Sequence, residues 1–308
     1  MTVIEVSALH KRYGRRTAVH DVSFTVDRGE IFGIVGPNGA GKTTTAECVG
    51  GLRRPTSGSI TVLGLDPQRD RAALRRIVGM QLQDSQLPDR MTVAEALSLY
   101  TSFYPDPADW RALLDDFGLA GQRGTEYRRL SGGQRQRLSI ALALAGNPRV
   151  AILDELTTGL DPQARQETWR LVEGLRDRGV TVLLVTHLME EAERLCDRLA
   201  VIDAGRVAAI GTPASLVAEA GAAHRVRFRT AAPVDPGPLA GLPEVNDVVC
   251  DGRTVTVTGT GDLLGAVVSV LARHRIVAAD LRYDQAGLDS AYLTMTSRSS
   301  TGRSEESA

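Results

Sequence analysis

Gly36-Pro-Asn-Gly-Ala-Gly-Lys42-Thr43-Thr44 is the stretch on which the reading of this chain turns. Gly36, Gly41, Lys42 and Thr43 fit G-x-x-x-x-G-K-[ST], with Pro37, Asn38, Gly39 and Ala40 in the variable positions. The run Ile31-Phe-Gly-Ile-Val35 just before it has the pattern of a buried parallel strand. Thr44 to Val49 reads as a helix that Gly50-Gly51 would end. Strand, glycine-rich loop and helix in that order separate a phosphate-binding loop from a chance match. Glycines let backbone N–H groups converge on a phosphate without Cβ clashes, and the helix N-terminus adds partial positive charge. Lys42 supplies a point charge for the β- and γ-phosphates, and the Thr43 hydroxyl is a hard oxygen ligand for Mg²⁺. A nucleoside triphosphate is expected at residues 36–44.

Composition narrows the class without naming a chemistry. At 308 residues the chain has room for one large domain or two ordinary ones. A net charge of -1 offers no basic surface for nucleic acid, so no nucleic-acid partner is expected. Cys48, Cys196 and Cys250 are odd in number, far apart and free of metal-ligand spacing, which fits a reducing compartment. The start, Met1-Thr-Val-Ile-Glu5, lacks a basic segment followed by an apolar one. Apolar runs such as Val180 to Val185 fall far short of the ~20 residues that span a bilayer. Work at a membrane would therefore take its span from another chain.

Outward from the phosphate loop, Thr2 to Val6 and Ala18 to Val26 alternate like strands, and Tyr13 falls in a loop between them. An aromatic upstream of a phosphate loop either stacks on a nucleotide base or packs on a small sheet, and its chemistry alone does not choose. Gly58 to Gly64 is a further strand, and Ile77 to Gln81 another, followed by a loop holding Gln81, Gln83 and Gln86. Residues 84–129 look mainly helical, broken once at Pro105 and Pro107, with Thr92 and Glu95 spaced as a capping box. Leu130-Ser131-Gly132-Gly133-Gln134 opens another helix, and two glycines after a serine make a second anion-seeking cap. Val150-Ala-Ile-Leu-Asp154-Glu155 is an apolar strand ending in two carboxylates: Asp154 suits Mg²⁺, and Glu155 is placed to orient or deprotonate an attacking water. Val180 to His187 is a buried strand ending in a histidine. Ligands of α/β folds gather at this carboxyl edge of the parallel strands.

Taken together, residues from Val3 to about Val217 resemble the nucleotide-binding subunit of ATP-binding cassette (ABC) transporters. Gly36 to Thr44 resembles Walker A, Leu130 to Gln134 the family signature, and Val150 to Glu155 Walker B. Gly159-Leu-Asp161 resembles the D-loop, His187 the switch histidine and Tyr13 the adenine-stacking aromatic; Gln83 matches the Q-loop glutamine better than Gln81. Leu156 departs from the pattern, standing where the family has proline. The resemblance implies ATP as substrate, with Thr43, Gln83 and Asp154 around Mg²⁺ and Glu155, His187 and Gln83 at the reacting phosphate. It implies a head-to-tail homodimer, in which Ser131 and its neighbours contact ATP held by the other copy. It further implies a separately encoded integral membrane permease, and a peripheral position on the cytoplasmic face of the cell membrane.

The expected fold is α/β: a P-loop NTPase cassette over residues 1–220, with a RecA-like core, an antiparallel β subdomain and a helical subdomain at about 84–145. Residues 221–296 are expected to form a separate α+β domain from strand, hairpin, helix and strand, and 297–308 a disordered tail. Gly287 to Leu293 in that appendage resembles the C-terminal extension of ABC-2 drug-exporter ATPases of the daunorubicin type. That points to efflux of a drug, antibiotic or other small molecule. An importer ATPase and a ribosome-associated resistance factor are the alternatives; the single motif set and the charge of -1 argue against the second.

Overall fold

The computed structural model describes residues 1–82 and 86–295. Contacts divide the chain into a unit Met1–Pro213 and a second beginning at Ala214. The strands of the first unit are β1 (Thr2–Tyr13), β2 (Arg16–Asp27), β3 (Ile31–Val35), β4 (Ser57–Val62), β5 (Val78–Gln81), β6 (Val150–Asp154), β7 (Thr181–Thr186), β8 (Arg198–Asp203) and β9 (Arg206–Gly211). Its helices are α1 (Lys42–Val49), α2 (Arg71–Ile77), α3 (Val93–Thr101), α4 (Trp110–Asp116), α5 (Gly132–Ala143), α6 (Pro162–Asp177) and α7 (Met189–Leu195).

The main sheet runs β5-β6-β7-β3-β8-β9, with the first five strands parallel and β9 antiparallel on β8. β3, β6 and β7 are buried from end to end, which is why their sequences are continuous apolar runs. Adjacency of β6, β7 and β3 aligns their carboxyl ends: Asp154 pairs with Val185, and Val35 with Thr186. The phosphate loop, the Asp154-Glu155 pair and His187 therefore leave the sheet side by side.

β2, β1 and β4 form a separate three-stranded antiparallel sheet whose buried face joins the same apolar core. Phe24 stacks on Phe32 there, with ring centroids 5.2 Å apart. Tyr13 is not in a loop: it ends β1 and pairs with Arg16 across a tight turn. The strand was hidden because register shifts around Leu9, Lys11 and Arg12 break its alternation. Between the neighbouring strands β5 and β6 the chain leaves the sheet to form α3, α4 and α5. Thr92 and Glu95 close the capping box that their spacing predicts. A RecA-like parallel sheet, an antiparallel β subdomain and a helical subdomain are thus all present.

The second unit holds α8 (Pro213–Ala220), β10 (His224–Thr230), α9 (Gly237–Ala240), β11 (Val245–Asp251), β12 (Thr254–Gly259), α10 (Leu263–Arg273) and β13 (Ala278–Asp284). Its sheet is antiparallel in the order β11-β12-β10-β13, and with α9 and α10 the chain reads β-α-β-β-α-β, a split β-α-β arrangement. Val226, Phe228, Val255 and Val257 meet Leu263, Val267 and Leu271 of α10 in a core of its own. α8 lies with this unit, ahead of a division at 220, because Val217 and Ala220 pack with Ala222, Ala286 and Ala291.

Candidate functional site

The phosphate loop is shaped by backbone that comes too close for side chains. A Cβ on Gly36 (φ 151°) would stand 2.0 Å from the Ile202 carbonyl oxygen, and one on Gly41 (φ 103°) 2.4 Å from that of Ala18. Only glycine fits either position. Gly41 caps α1 without any side-chain hydrogen bond, so the amides of the first turn, Lys42 to Thr44, keep no intrahelical acceptor. Lys42 is 4% exposed, and its Nζ donates to the Pro37 carbonyl at 3.0 Å. Burial pulls its pKa down, while Glu155 and Asp154 push it back up. Asn38 and Gly39 form the exposed tip and Ala40 is buried beneath it.

Asp154 ends β6 and is 2% exposed. Burial raises its carboxyl from the ordinary 3.8 to about 6, against the lowering effect of a hydrogen bond from the Thr43 hydroxyl. Its Oδ1 is buried without a hydrogen-bond partner among the described residues. Its N–H donates to Oε1 of Gln81 at 3.0 Å. Gln81, the less favoured glutamine of the loop, is thus a buried brace for β6, whereas Gln83 lies outside the described residues.

Glu155 follows in left-handed backbone (φ 50°), held by its N–H on the Val185 carbonyl at 2.8 Å. Such a conformation costs a non-glycine residue of order 1–3 kcal/mol and is a form of strain that functional sites carry. The turn brings Glu155 Oε1 to 3.3 Å from Nδ1 of His187. Leu156, in the place of the family's proline, is buried in the core.

Two predicted groups stand apart from this cluster. Tyr13 is 42% exposed at the tip of β1, with Lys11 Nζ 4.9 Å from its ring centre. The segment 130–134 starts α5: Leu130 is buried, Ser131 Oγ accepts from Gln134 N at 3.2 Å, and Gln134 Oε1 accepts from Ser131 N at 2.9 Å. None of these bonds reaches residues 36–44. Gly133 packs closely on α6: a Cβ there would lie 3.1 Å from that of Ala164, so α6 would have to give by a few tenths of an ångström. α6 itself starts at Asp161, whose side chain caps Ala164 N at 2.9 Å.

Sequence reasoning missed several neighbours of the site. Arg16 sits beside the loop tip, 3.7 Å from where a Cβ on Gly39 would stand, and only its pairing with Tyr13 signals this. A cavity of about 480 Å³ opens from Thr43 and Asp154 toward Tyr100, Tyr104 and Tyr127 of the helical subdomain. Among the described residues no group of three or more His, Cys, Asp or Glu side chains could hold a metal ion. An ion here would rest on Asp154, Thr43 and its own ligand's oxygens.

The family model for ABC transporters matches residues 19–158. The Nod factor export ATP-binding protein I of Rhizobium etli is 41% identical over 224 residues, covering 71% of each chain. Its counterpart in Paraburkholderia xenovorans is 45% identical over 221 residues, 70% of this chain and 72% of that one. The Rhizobium meliloti protein of the same name is 40% identical over 260 residues, 82% of this chain and 76% of that one. Among solved structures, an ATP-binding subunit of an ABC transporter superposes with a TM-score of 0.64 at 30% identity, over 70% of this chain and 92% of that chain. An ATP-binding cassette solved as a dimer in a post-hydrolysis state with ADP and phosphate gives 0.62 at 27% identity, over 68% of this chain and 98% of that chain.

Proposed function

This chain belongs to the ABC transporter family as an ATP-binding subunit that hydrolyses ATP to drive transport, and from that premise we propose that it powers export of a small molecule through a separately encoded membrane permease. The observation that carries the export reading is the likeness to Nod factor export proteins over as much as 82% of this chain, beyond the first unit and into the second. Among the described residues no helix is long and apolar enough to cross a membrane. We place the chain at the cytoplasmic face of the membrane, held there by the permease, as the likeness to ATP-binding subunits of ABC transporters suggests. Leu99 and Phe103, exposed apolar side chains around the end of α3, suit that contact. The cargo in this reading is a drug, an antibiotic or another small molecule, and resistance and efflux assays in cells decide which.

In this reading the loop amides and Lys42 grip the β- and γ-phosphates and Tyr13 stacks on the adenine. The donor set fits Mg²⁺: Asp154 offers a buried carboxylate oxygen with no other partner, and Thr43 a hydroxyl beside it. Thr43 and Asp154, with Gln83 as the third expected ligand, would hold the ion, which would supply positive charge against the phosphates. Glu155 orients the attacking water and takes its proton. His187 Nδ1, when it carries a proton, donates to Glu155, and with both ring nitrogens protonated its Nε2 donates to the γ-phosphate. Ser131, Gly132 and Gly133 serve the nucleotide of a second copy, which is why they sit apart from residues 36–44, and Asp161 faces that same interface.

Glu155→Gln tests the chemistry. It keeps the side-chain shape without the base, so turnover is expected to fall by about 10²–10⁴-fold. ATP binding should persist, and an ATP-bound dimer should accumulate on gel filtration. Normal hydrolysis by this variant would remove Glu155 from the role.

A further inference from the structure

Glu191, on α7 four residues beyond His187, is wholly buried. Its Oε1 accepts two hydrogen bonds, from the Thr157 hydroxyl at 2.9 Å and from the Trp169 indole N–H at 3.0 Å. Its Oε2 is buried with no hydrogen-bond partner among the described residues. A carboxylate in such a place is costly, and an apolar or amide side chain would fill the same space at lower cost. Its position suggests what the cost secures. Thr157, itself 1% exposed, lies two residues after Glu155, and α7 begins two residues after His187. Two contacts therefore join the same two segments: the Glu155–His187 pair at 3.3 Å, and below it the buried Thr157–Glu191 bond. Trp169 adds α6, the helix that Asp161 caps.

We propose that Glu191 is a positioning residue, whose carboxylate locks the turn after Glu155 to the helix after His187. The Glu155–His187 geometry is then set before nucleotide arrives, and the left-handed backbone at Glu155 is held from below. The inference rests on the roles given to Glu155 and His187 above. Those roles fail separately, through Glu155→Gln, so a failure here is distinguishable from a failure there. Misplacing a reacting group by about 1 Å costs on the order of 10²-fold, which sets the scale of the expected effect.

The test compares three substitutions in the full chain by ATPase kinetics, equilibrium ATP binding and thermal melting. Thr157→Val keeps shape but removes the hydroxyl, and is expected to lower kcat by about 10–100-fold with ATP affinity within about threefold of the parent. Thr157→Ser restores the donor and should return kcat to within about threefold. Trp169→Phe removes the other donor to the same oxygen without touching the turn; it should lower the melting temperature while kcat stays within about threefold. Equal kcat in the Val and Ser variants would overturn the proposal. So would equal kcat losses in Thr157→Val and Trp169→Phe, which would make Glu191 a packing group alone. All three variants keep Glu191 in place, so the outcome does not depend on whether its removal is tolerated.

Discussion

Two helices of the first unit start at glycine-bearing segments suited to anions, and they differ in what their donors already do. At α1 the cap is Gly41, there is no side-chain bond, and Gly36 and Gly41 are locked by carbonyls that would strike any Cβ. At α5 the cap is Ser131, and Ser131 and Gln134 satisfy each other in a closed capping box at an exposed surface. The first end is held open by the core beneath it and is short of partners. The second has its Ser131 and Gln134 amides satisfied at rest. Preorganised, unspent donors bind on arrival, whereas a satisfied cap offers only its free Gly132 and Gly133 amides unless the box opens, at a cost of roughly 1 kcal/mol. That asymmetry is what a site shared between two copies needs: one half grips ATP, and the other engages only on closure.

The sharpest way to break this comparison is to damage each end separately. Ser131→Arg fills the space before the second cap and should lower turnover by at least about 10²-fold, while ATP binding to the isolated chain stays within about threefold. Lys42→Ala should weaken ATP binding itself, by about 10–100-fold for a lost charge-assisted bond. An enforced heterodimer carrying the two defects on opposite chains puts both into one composite site and leaves the other intact, so hydrolysis should return. If Ser131→Arg weakens ATP binding to the isolated chain as much as Lys42→Ala does, the two ends are not functionally distinct.

The same contrast explains what could be read without coordinates. β3, β6 and β7 were legible because burial on both faces forces apolar runs, and the residues ending them could be listed before any partner was known. The capping box at Thr92 and the helix start at Ser131 were legible because cap chemistry is local, but the reciprocal bonds of Ser131 and Gln134 were not read. What escaped is long-range or irregular. β1 is too interrupted by register shifts to show that Tyr13 ends a strand. Nothing around Glu191 announces that it meets Thr157, 34 positions away. The brace from Gln81 to Asp154 depends on β5 lying next to β6, and topology of that kind leaves no mark at the residues that use it. The order of the second unit's sheet was hidden for the same reason.

Stability measurements sharpen the comparison by sign. Asp154 titrates near 6 in the fold against 3.8 ordinarily, because burial disfavours its charge. The folded protein therefore binds this proton more tightly than the unfolded chain, and its contribution is fully present below about pH 4 and lost as pH rises through about 6. Asp154→Asn removes that penalty, so at neutral pH the nucleotide-free protein should be stabilised by about 1–3 kcal/mol, with the gain vanishing in acid. Ser131→Ala strips a cap that was satisfied and should instead cost about 1 kcal/mol at every pH. Denaturant titrations of both variants across this range decide the matter. A destabilised Asp154→Asn at neutral pH would mean that the phosphate end is not under electrostatic load.

The smallest expected effect comes from removing everything beyond Pro213. Both anion-seeking helix starts, the Asp154-Glu155 pair and His187 lie within Met1–Pro213. The second unit buries Val226, Phe228, Val257 and Leu271 in a core that shares no residue with the first. We therefore propose it as an accessory domain, and place the cut ahead of α8, since Val217 and Ala220 pack with Ala222, Ala286 and Ala291. The shortened protein should bind ATP and show basal hydrolysis within about twofold of the full chain, because neither half of the composite site loses a ligand. Export in cells should fall, because the relative matched over 82% of this chain retains sequence like part of the second unit. Nucleotide titration and steady-state ATPase on the truncated protein, beside an efflux assay with the permease, test the two halves. A folded truncation that no longer binds ATP would mean that the second unit helps to form the phosphate end after all. Undiminished efflux would make that unit dispensable for transport and leave the helix starts of the first unit as the whole working machine.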